Sequence, residues 1–198
     1  MSDPRIPLLG ETDAKAAAAS IGVSESIAEL NVFRLLLRDP PVAKSVNDLL
    51  MTMLFRGKLD ARLRELVIMR IGWVTGSVYE WTQHWRVALA LGVSEEDLLR
   101  VREGAAANGW SDADRAVLRA TDEVLSSGLV SPATWALCEE ALGSDEERIE
   151  LVIAIGTWNL ISQFLRSLEV PLEEGVMAWP PDGKSPPKAR SGNGGASA

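Results

Sequence analysis

Arg62-Leu-Arg-Glu-Leu-Val-Ile-Met-Arg-Ile-Gly-Trp-Val-Thr-Gly-Ser-Val-Tyr-Glu-Trp-Thr-Gln-His84 is the stretch on which the fold turns. Asp60 is a plausible cap for a helix over Ala61–Val74, Gly76 marks a break, and Ser77–Leu91 continues as helix to Gly92. On that second helix Ser77, Glu80 and His84 stand at i, i+3 and i+7 and share a face. Glu80 and His84 are one turn apart, and a carboxylate beside an imidazole raises its pKa and shares a proton with it. Trp73, Trp81 and Trp85 supply large apolar surfaces nearby. Glu65 is an acid among aliphatics. It lies either on a solvent-facing side or buried and paired, with His84 or Arg70 as the nearest sensible partner.

The pattern on both sides is helical. Ser24 starts a predicted helix that runs to a stop at Pro40-Pro41, and a second spans about Val42–Arg56. Ser94-Glu-Glu-Asp97 opens a short helix with acids at its positive end. Ser111-Asp-Ala-Asp114 resembles a capping box and starts Arg115–Ser127, and Ser131-Pro132 pairs an N-cap with proline at the first helical position. Ser144-Asp-Glu-Glu opens the last long helix, to about Leu168. No run alternates for strand length, so the fold class is all-α, with about seven or eight helices. The expected organisation is an N-terminal arm over residues 1–23, a helical domain over 24–175 and a disordered tail over 176–198, which is devoid of apolar residues from Pro180 apart from alanine.

Glu65-Leu-Val-Ile68 recurs as Glu150-Leu-Val-Ile153. At the same offset Trp73 matches Trp158, Ser77 matches Ser162 and Tyr79 meets Phe164, while His84 meets Glu169 and Glu80 meets Leu165. A degenerate helical duplication accounts for this, with the polar chemistry in the first copy. Chance recurrence between two apolar helices is the alternative.

Composition removes several function classes. The 198 residues carry a net charge of −8, which disfavours a nucleic-acid partner. The one cysteine, Cys138, excludes an internal disulfide, a CxxC redox pair and a cysteine-based zinc site, and the one histidine excludes multi-histidine metal sites. No metal and no cofactor are expected. The start of the sequence has no basic run followed by an apolar core, and the longest uncharged apolar run, Leu151–Leu165, is too short and polar to span a bilayer. The expectation is a cytoplasmic protein without a membrane partner.

Arg62-Leu-Arg-Glu-Leu-Val-Ile-Met-Arg, followed by Ser77-Val-Tyr-Glu-Trp-Thr-Gln-His84, resembles the carboxymuconolactone decarboxylase family, which includes the alkyl hydroperoxidase D proteins. The resemblance covers about residues 30–175. The peroxidase branch of that family reads Glu-x11-Cys-x2-Cys-x3-His, and here the same spacing reads Glu65-x11-Ser77-x2-Glu80-x3-His84. Peroxidase chemistry needs a thiolate. Serine and glutamate do not supply one, and Cys138 lies outside the motif. Tyr79-Glu80-x3-His84 is similar instead to the decarboxylase branch, which implies cofactor-free loss of CO₂ from a carboxylated lactone. The resemblance further implies an alkyl hydroperoxidase D-like bundle assembled as a dimer, trimer or hexamer.

On this reading the chain is a lyase or isomerase for a small carboxylated, possibly lactone, substrate. His84, Glu80 and Glu65 are the catalytic candidates. Tyr79, Ser77, Arg70 and Trp81 are the substrate-binding candidates, with Arg70 or Arg62 as a carboxylate clamp. A non-catalytic oligomeric ligand-binding or scaffold protein is the alternative.

Overall fold

The computed structural model describes residues 3–187. It is all-helical. α1 (Glu11–Ser20), α2 (Glu25–Ala28) and α3 (Asn31–Leu36) lead into α4 (Pro40–Phe55), α5 (Ala61–Thr75) and α6 (Val78–Ala90). α7 (Glu95–Arg100) runs on through a 3₁₀ segment, Val101–Ala106, and α8 (Asp112–Ser127), α9 (Pro132–Ala141) and α10 (Asp145–Ser167) complete the bundle.

The boundaries follow from capping chemistry. Asp39, Asp60, Ser94, Ser111, Ser131 and Ser144 each accept a hydrogen bond from a backbone N–H in the first turn of the helix they precede. Ser111 and Asp114 form the reciprocal capping box. Pro40-Pro41 begins α4 rather than stopping the helix before it, because proline at N1 forfeits only a donor that has no intrahelical partner. The single helix expected from Ser24 is two short ones, broken at Leu30, which is extended as the N-cap of α3.

α5 is the central element. Leu66, Val67, Ile68, Met69 and Ile71 have no exposure, as expected of a helix covered on all sides. Truncating one of these to alanine costs about 2–5 kcal/mol. At Gly76 the backbone is left-handed (φ 72°), which ends α5 and turns the chain back on itself as α6. The two helices pack so closely at Gly72 that a Cβ there would lie 3.0 Å from the Trp81 backbone nitrogen.

A second apolar cluster joins α1–α3 to Tyr79, Ile161, Leu165, Val170 and Leu172. The segment expected to be an arm therefore contains a helix, α1, whose Ala14 and Ala18 are fully buried. The expected tail also divides. Residues 188–198 lie outside the described residues, but the stretch before them is docked. Trp179 stacks edge-on to Trp73 and lies 6.2 Å from Trp81, whose indole N–H donates to Pro180 O at 2.8 Å. Asp182 accepts both Nη groups of Arg102 at 2.8 and 2.9 Å. The Arg102 guanidinium in turn lies over the rings of Trp73 and Trp81. An apolar-poor, proline-rich composition hid this because two residues, Trp179 and Asp182, carry most of the docking.

Candidate active site

The turn at Gly76 folds α6 back along α5 and brings His84 against Glu65. His84 Nδ1 lies 2.8 Å from Glu65 Oε2. Glu65 is fully buried, and its other oxygen accepts from Arg64 Nη2 at 3.3 Å and Nε at 3.4 Å. The Arg64 guanidinium is buried too and also donates to Met53 O. Glu65 thus sits between a fixed cation and an imidazole, the arrangement that makes a buried carboxylate tolerable.

The other imidazole nitrogen has two neighbours. The indole N–H of Trp158, on α10, donates to His84 Nε2 at 3.2 Å. Glu80 Oε2, one turn back on α6, lies 3.8 Å from the same atom and has no hydrogen-bond partner. An indole N–H only donates, so Nε2 is the acceptor and the ring proton sits on Nδ1, facing Glu65.

The electrostatics are coupled. Burial raises the Glu80 carboxyl to about 7, against the pull of His84 and with the help of the Glu65 charge. Burial works against a charge on His84, but the Glu65 carboxylate, by charge and hydrogen bond, and Glu80 outweigh it together with Arg64, so the imidazole pKa is raised. Burial thus favours a proton on Glu80 while the two carboxylates favour one on His84, and the titrations of the two groups are coupled.

These groups form the polar end of a cavity of about 480 Å³ at the junction of the two apolar clusters. Its walls are aliphatic and aromatic: Leu30 and Phe33 from the N-terminal helices, Leu50 and Leu54 from α4, Val87 from α6 and Ile161 from α10. Gln83 and Arg86 also line it, with Arg86 Nη2 donating to Gln83 Oε1. Tyr79 lines it as well. Its hydroxyl donates to Glu173, and burial with that carboxylate keeps the phenol protonated far above its usual range.

The expected substrate contacts divide. Glu65, Glu80, His84 and Tyr79 converge on the cavity or on the imidazole. Ser77, Arg70 and Trp81 do not line it. Ser77 is the N-cap of α6, outside the helix, so the shared-face argument fails at that residue. Its buried hydroxyl has no partner, and the residue lines a different cavity beside Arg166 and Pro171. Arg70 is committed to Asp122 and to the carbonyls of Val101 and Arg102. Arg62 is committed to Asp114 and Asp97. Trp81 is buried in the tryptophan cluster. The cavity's cation is Arg86, and its unforeseen donor is Trp158. The only sequence signal for Trp158 was its echo of Trp73.

Residues 40–123 match the sequence profile of the carboxymuconolactone decarboxylase family. The chain carries a carboxymuconolactone decarboxylase family domain. Glu65, Glu80 and His84 all fall within it. No curated protein matches the chain in sequence. Solved structures show the same fold at low identity. An uncharacterized peroxidase-related protein from Ralstonia eutropha JMP134, described as an alkylhydroperoxidase AhpD core, aligns with TM-score 0.69 at 14% identity, covering 88% of this chain and 94% of that one. An uncharacterized peroxidase-related protein from Silicibacter sp. TM1040 aligns with TM-score 0.69 at 10% identity, covering 88% and 91%. The debrominase Bmp8, in a cysteine-to-alanine variant with 2,3,4-tribromopyrrole, aligns with TM-score 0.62 at 14% identity, covering 83% and 85%. The fold class is therefore the alkyl hydroperoxidase D-like bundle.

Cys138, the one cysteine of the chain, is fully buried against α8, with its sulfur 3.9 Å from Ala116 O and its thiol pKa raised by burial. It is neither a motif residue nor a cavity residue. Among the described residues no three His, Cys, Asp or Glu side chains are grouped to hold a metal, and no helix is long and apolar enough to cross a membrane.

Proposed function

We propose that this family member is a cofactor-independent acid–base enzyme, a decarboxylase-type lyase or isomerase for a small carboxylated substrate with a largely apolar body. The observation that carries the reading is the imidazole of His84, anchored at Nδ1 by a buried carboxylate and placed at the polar end of an apolar cavity. Such walls strip water from a substrate carboxylate, and its charge disperses as CO₂ departs, so the transition state gains relative to the ground state. The bond to CO₂ breaks and leaves its electron pair on carbon. His84, protonated at Nε2, transfers that proton to the carbon and returns to the neutral form. Glu65 stabilises the imidazolium before transfer, and Glu80, protonated near neutral pH, reloads it from the other side. In the isomerase variant the neutral Nε2 takes a proton from one carbon and returns it to another. Arg86 replaces Arg70 as the residue suited to hold a carboxylate at the cavity wall. A thiol peroxidase route lacks its nucleophile, because Ser77 and Glu80 stand at the two cysteine positions.

The test is CO₂ release from a panel of carboxylated lactones and β-keto acids. His84→Ala is expected to lose about 10²–10⁴-fold in turnover with the fold intact. Glu80→Gln is expected to lose less, and Ser77→Ala least. An unaltered rate in His84→Ala refutes the reading, and equal losses in Ser77→Ala and His84→Ala point to a serine nucleophile.

We also propose that the chain works as a homo-oligomer. α10 presents Ile149, Val152, Ile153 and Leu160, each at least 40% exposed, around Gly156, and an apolar stripe of this kind favours a covering surface. Light scattering that gives a monomer at micromolar concentration overturns this.

A further inference from the structure

The donor on His84 Nε2 has a consequence for the reaction. The Nε2 lone pair is where His84 exchanges protons with anything in the cavity, yet in this structure it already accepts the Trp158 indole N–H. The indole holds the ring in its Nδ1–H tautomer, with the Nδ1 proton aimed at Glu65. A proton arriving on Nε2 would face the indole hydrogen, and two donors repel. Glu80 Oε2 is the acceptor waiting on the other side, 3.8 Å from Nε2 and without any present partner.

We propose that Trp158 is a positioning residue that sets when His84 becomes protonated: the indole N–H holds Nε2 as an acceptor in the resting site, and protonation passes Nε2 from Trp158 to Glu80. The site then has two discrete states. In one, neutral His84 is bracketed by Glu65 and Trp158. In the other, reached by uptake of one proton, the imidazolium is bracketed by Glu65 and ionised Glu80, and the indole hydrogen turns to the cavity, where a substrate oxygen can accept it. The groups that set the balance are Arg64 and Glu65 on α5, Glu80 on α6 and Trp158 on α10. The α3 and α4 side chains facing the same cavity, Phe33, Leu50, Met51 and Leu54, are uncharged. Arg86 enters from the cavity side. This inference deepens the acid–base reading and depends on it for any effect on turnover, but the exchange itself is measurable without substrate.

His84 is the one histidine of the chain, so its ring resonances in an NMR titration are unambiguous. Trp158→Phe keeps an aromatic ring at the position and removes the donor, together with part of the indole volume. The neutral imidazole loses a hydrogen bond and the cation does not, so the His84 midpoint should rise by about half to one pH unit. An unchanged or lowered midpoint overturns the proposal. The wild-type protein supplies a second reading that requires no folded variant: one indole N–H resonance of the seven tryptophans should titrate with the His84 midpoint. If none does, the proposal fails. If the resonances behave as stated while no carboxylated substrate loses CO₂, Trp158 controls the imidazole and it is the enzymatic reading that has failed.

Discussion

The α5–α6 hairpin and α10 carry the same Glu-Leu-Val-Ile start and a tryptophan at the same spacing, yet only the hairpin builds a site. In the hairpin, Gly76 reverses the chain and Gly72 lets α6 approach, so a histidine 19 residues after Glu65 returns to within 2.8 Å of it. In α10 the position equivalent to Gly76 is Ile161, the one equivalent to Gly72 is Thr157, and the helix runs straight to Ser167. Its counterpart of His84, Glu169, is carried to the far end, where it pairs with Arg5. Glu150, released from any histidine, accepts the backbone N–H groups of Lys58 and Leu59 at 2.6 and 2.7 Å and fastens the α4–α5 loop. Trp158 contributes its N–H to the site made by the other region. One pattern thus serves as a buried carboxylate–imidazole pair where the chain turns and as a brace where it does not.

The sharpest way to break this comparison is to truncate both glutamates. Glu65→Ala leaves the buried Arg64 cation uncompensated and should cost about 3–5 kcal/mol in denaturant unfolding, whereas Glu150→Ala loses hydrogen bonds in a half-buried setting and should cost about 2 kcal/mol. Equal losses would mean that burial and pairing do not distinguish the two acids.

A second prediction concerns pH. The Glu80 carboxyl lies near 7 in the folded protein against 4.5 for an ordinary glutamate, so the folded state binds more protons between those values, and stability must fall as pH rises from about 4.5 through about 7. His84, raised above its ordinary value, adds stability below about 6.5 that is lost as pH passes its folded midpoint, which is the same direction. Melting temperature against pH should show that decline in the wild type, by up to about 3 kcal/mol of stability, and a shallower one in Glu80→Gln. A flat wild-type profile would remove the strained proton from the site. α10 has no counterpart to this effect, since Leu165 stands where Glu80 does.

The smallest expected effect tests the turn. Gly76→Ala meets no close neighbour, since the nearest atom to a Cβ there is Pro186 Cγ at 3.8 Å, so only the left-handed backbone resists it. The cost should be about 1–2 kcal/mol by thermal or chemical denaturation, with the His84 environment preserved. A much larger loss would show that the turn bears packing as well as conformation.

Much of this was legible before the structure, and for local reasons. Five helix starts, those after Asp60, Ser94, Ser111, Ser131 and Ser144, announced themselves because a cap acts on the N–H groups of its own first turn. The Glu65–His84 spacing was legible together with the Gly76 break that makes it meaningful. The misreadings have physical causes of the same kind. Ser77 belongs by count to the face of Glu80 and His84, but a cap residue has extended backbone and leaves the helical face. Arg70 looks available until α8 brings Asp122 against it, 52 residues away. Trp158 is placed on the imidazole by the packing of α10, and no period within either helix encodes that contact. The docking of Trp179 and Asp182 is equally non-local.

That docking has a consequence for synthesis. Trp81 and its carbonyl partner Pro180 are 99 residues apart in the chain. At translation rates of about 5–20 residues per second, the indole waits roughly 5–20 s before the residue that satisfies it exists. During that interval the nascent α5–α6 region holds Trp73 and Trp81, and the later 3₁₀ segment Arg102, without their cover. The α5–α6 hairpin is therefore made early and sealed late, and the interval is when a chaperone that binds exposed aromatic surface would find its target.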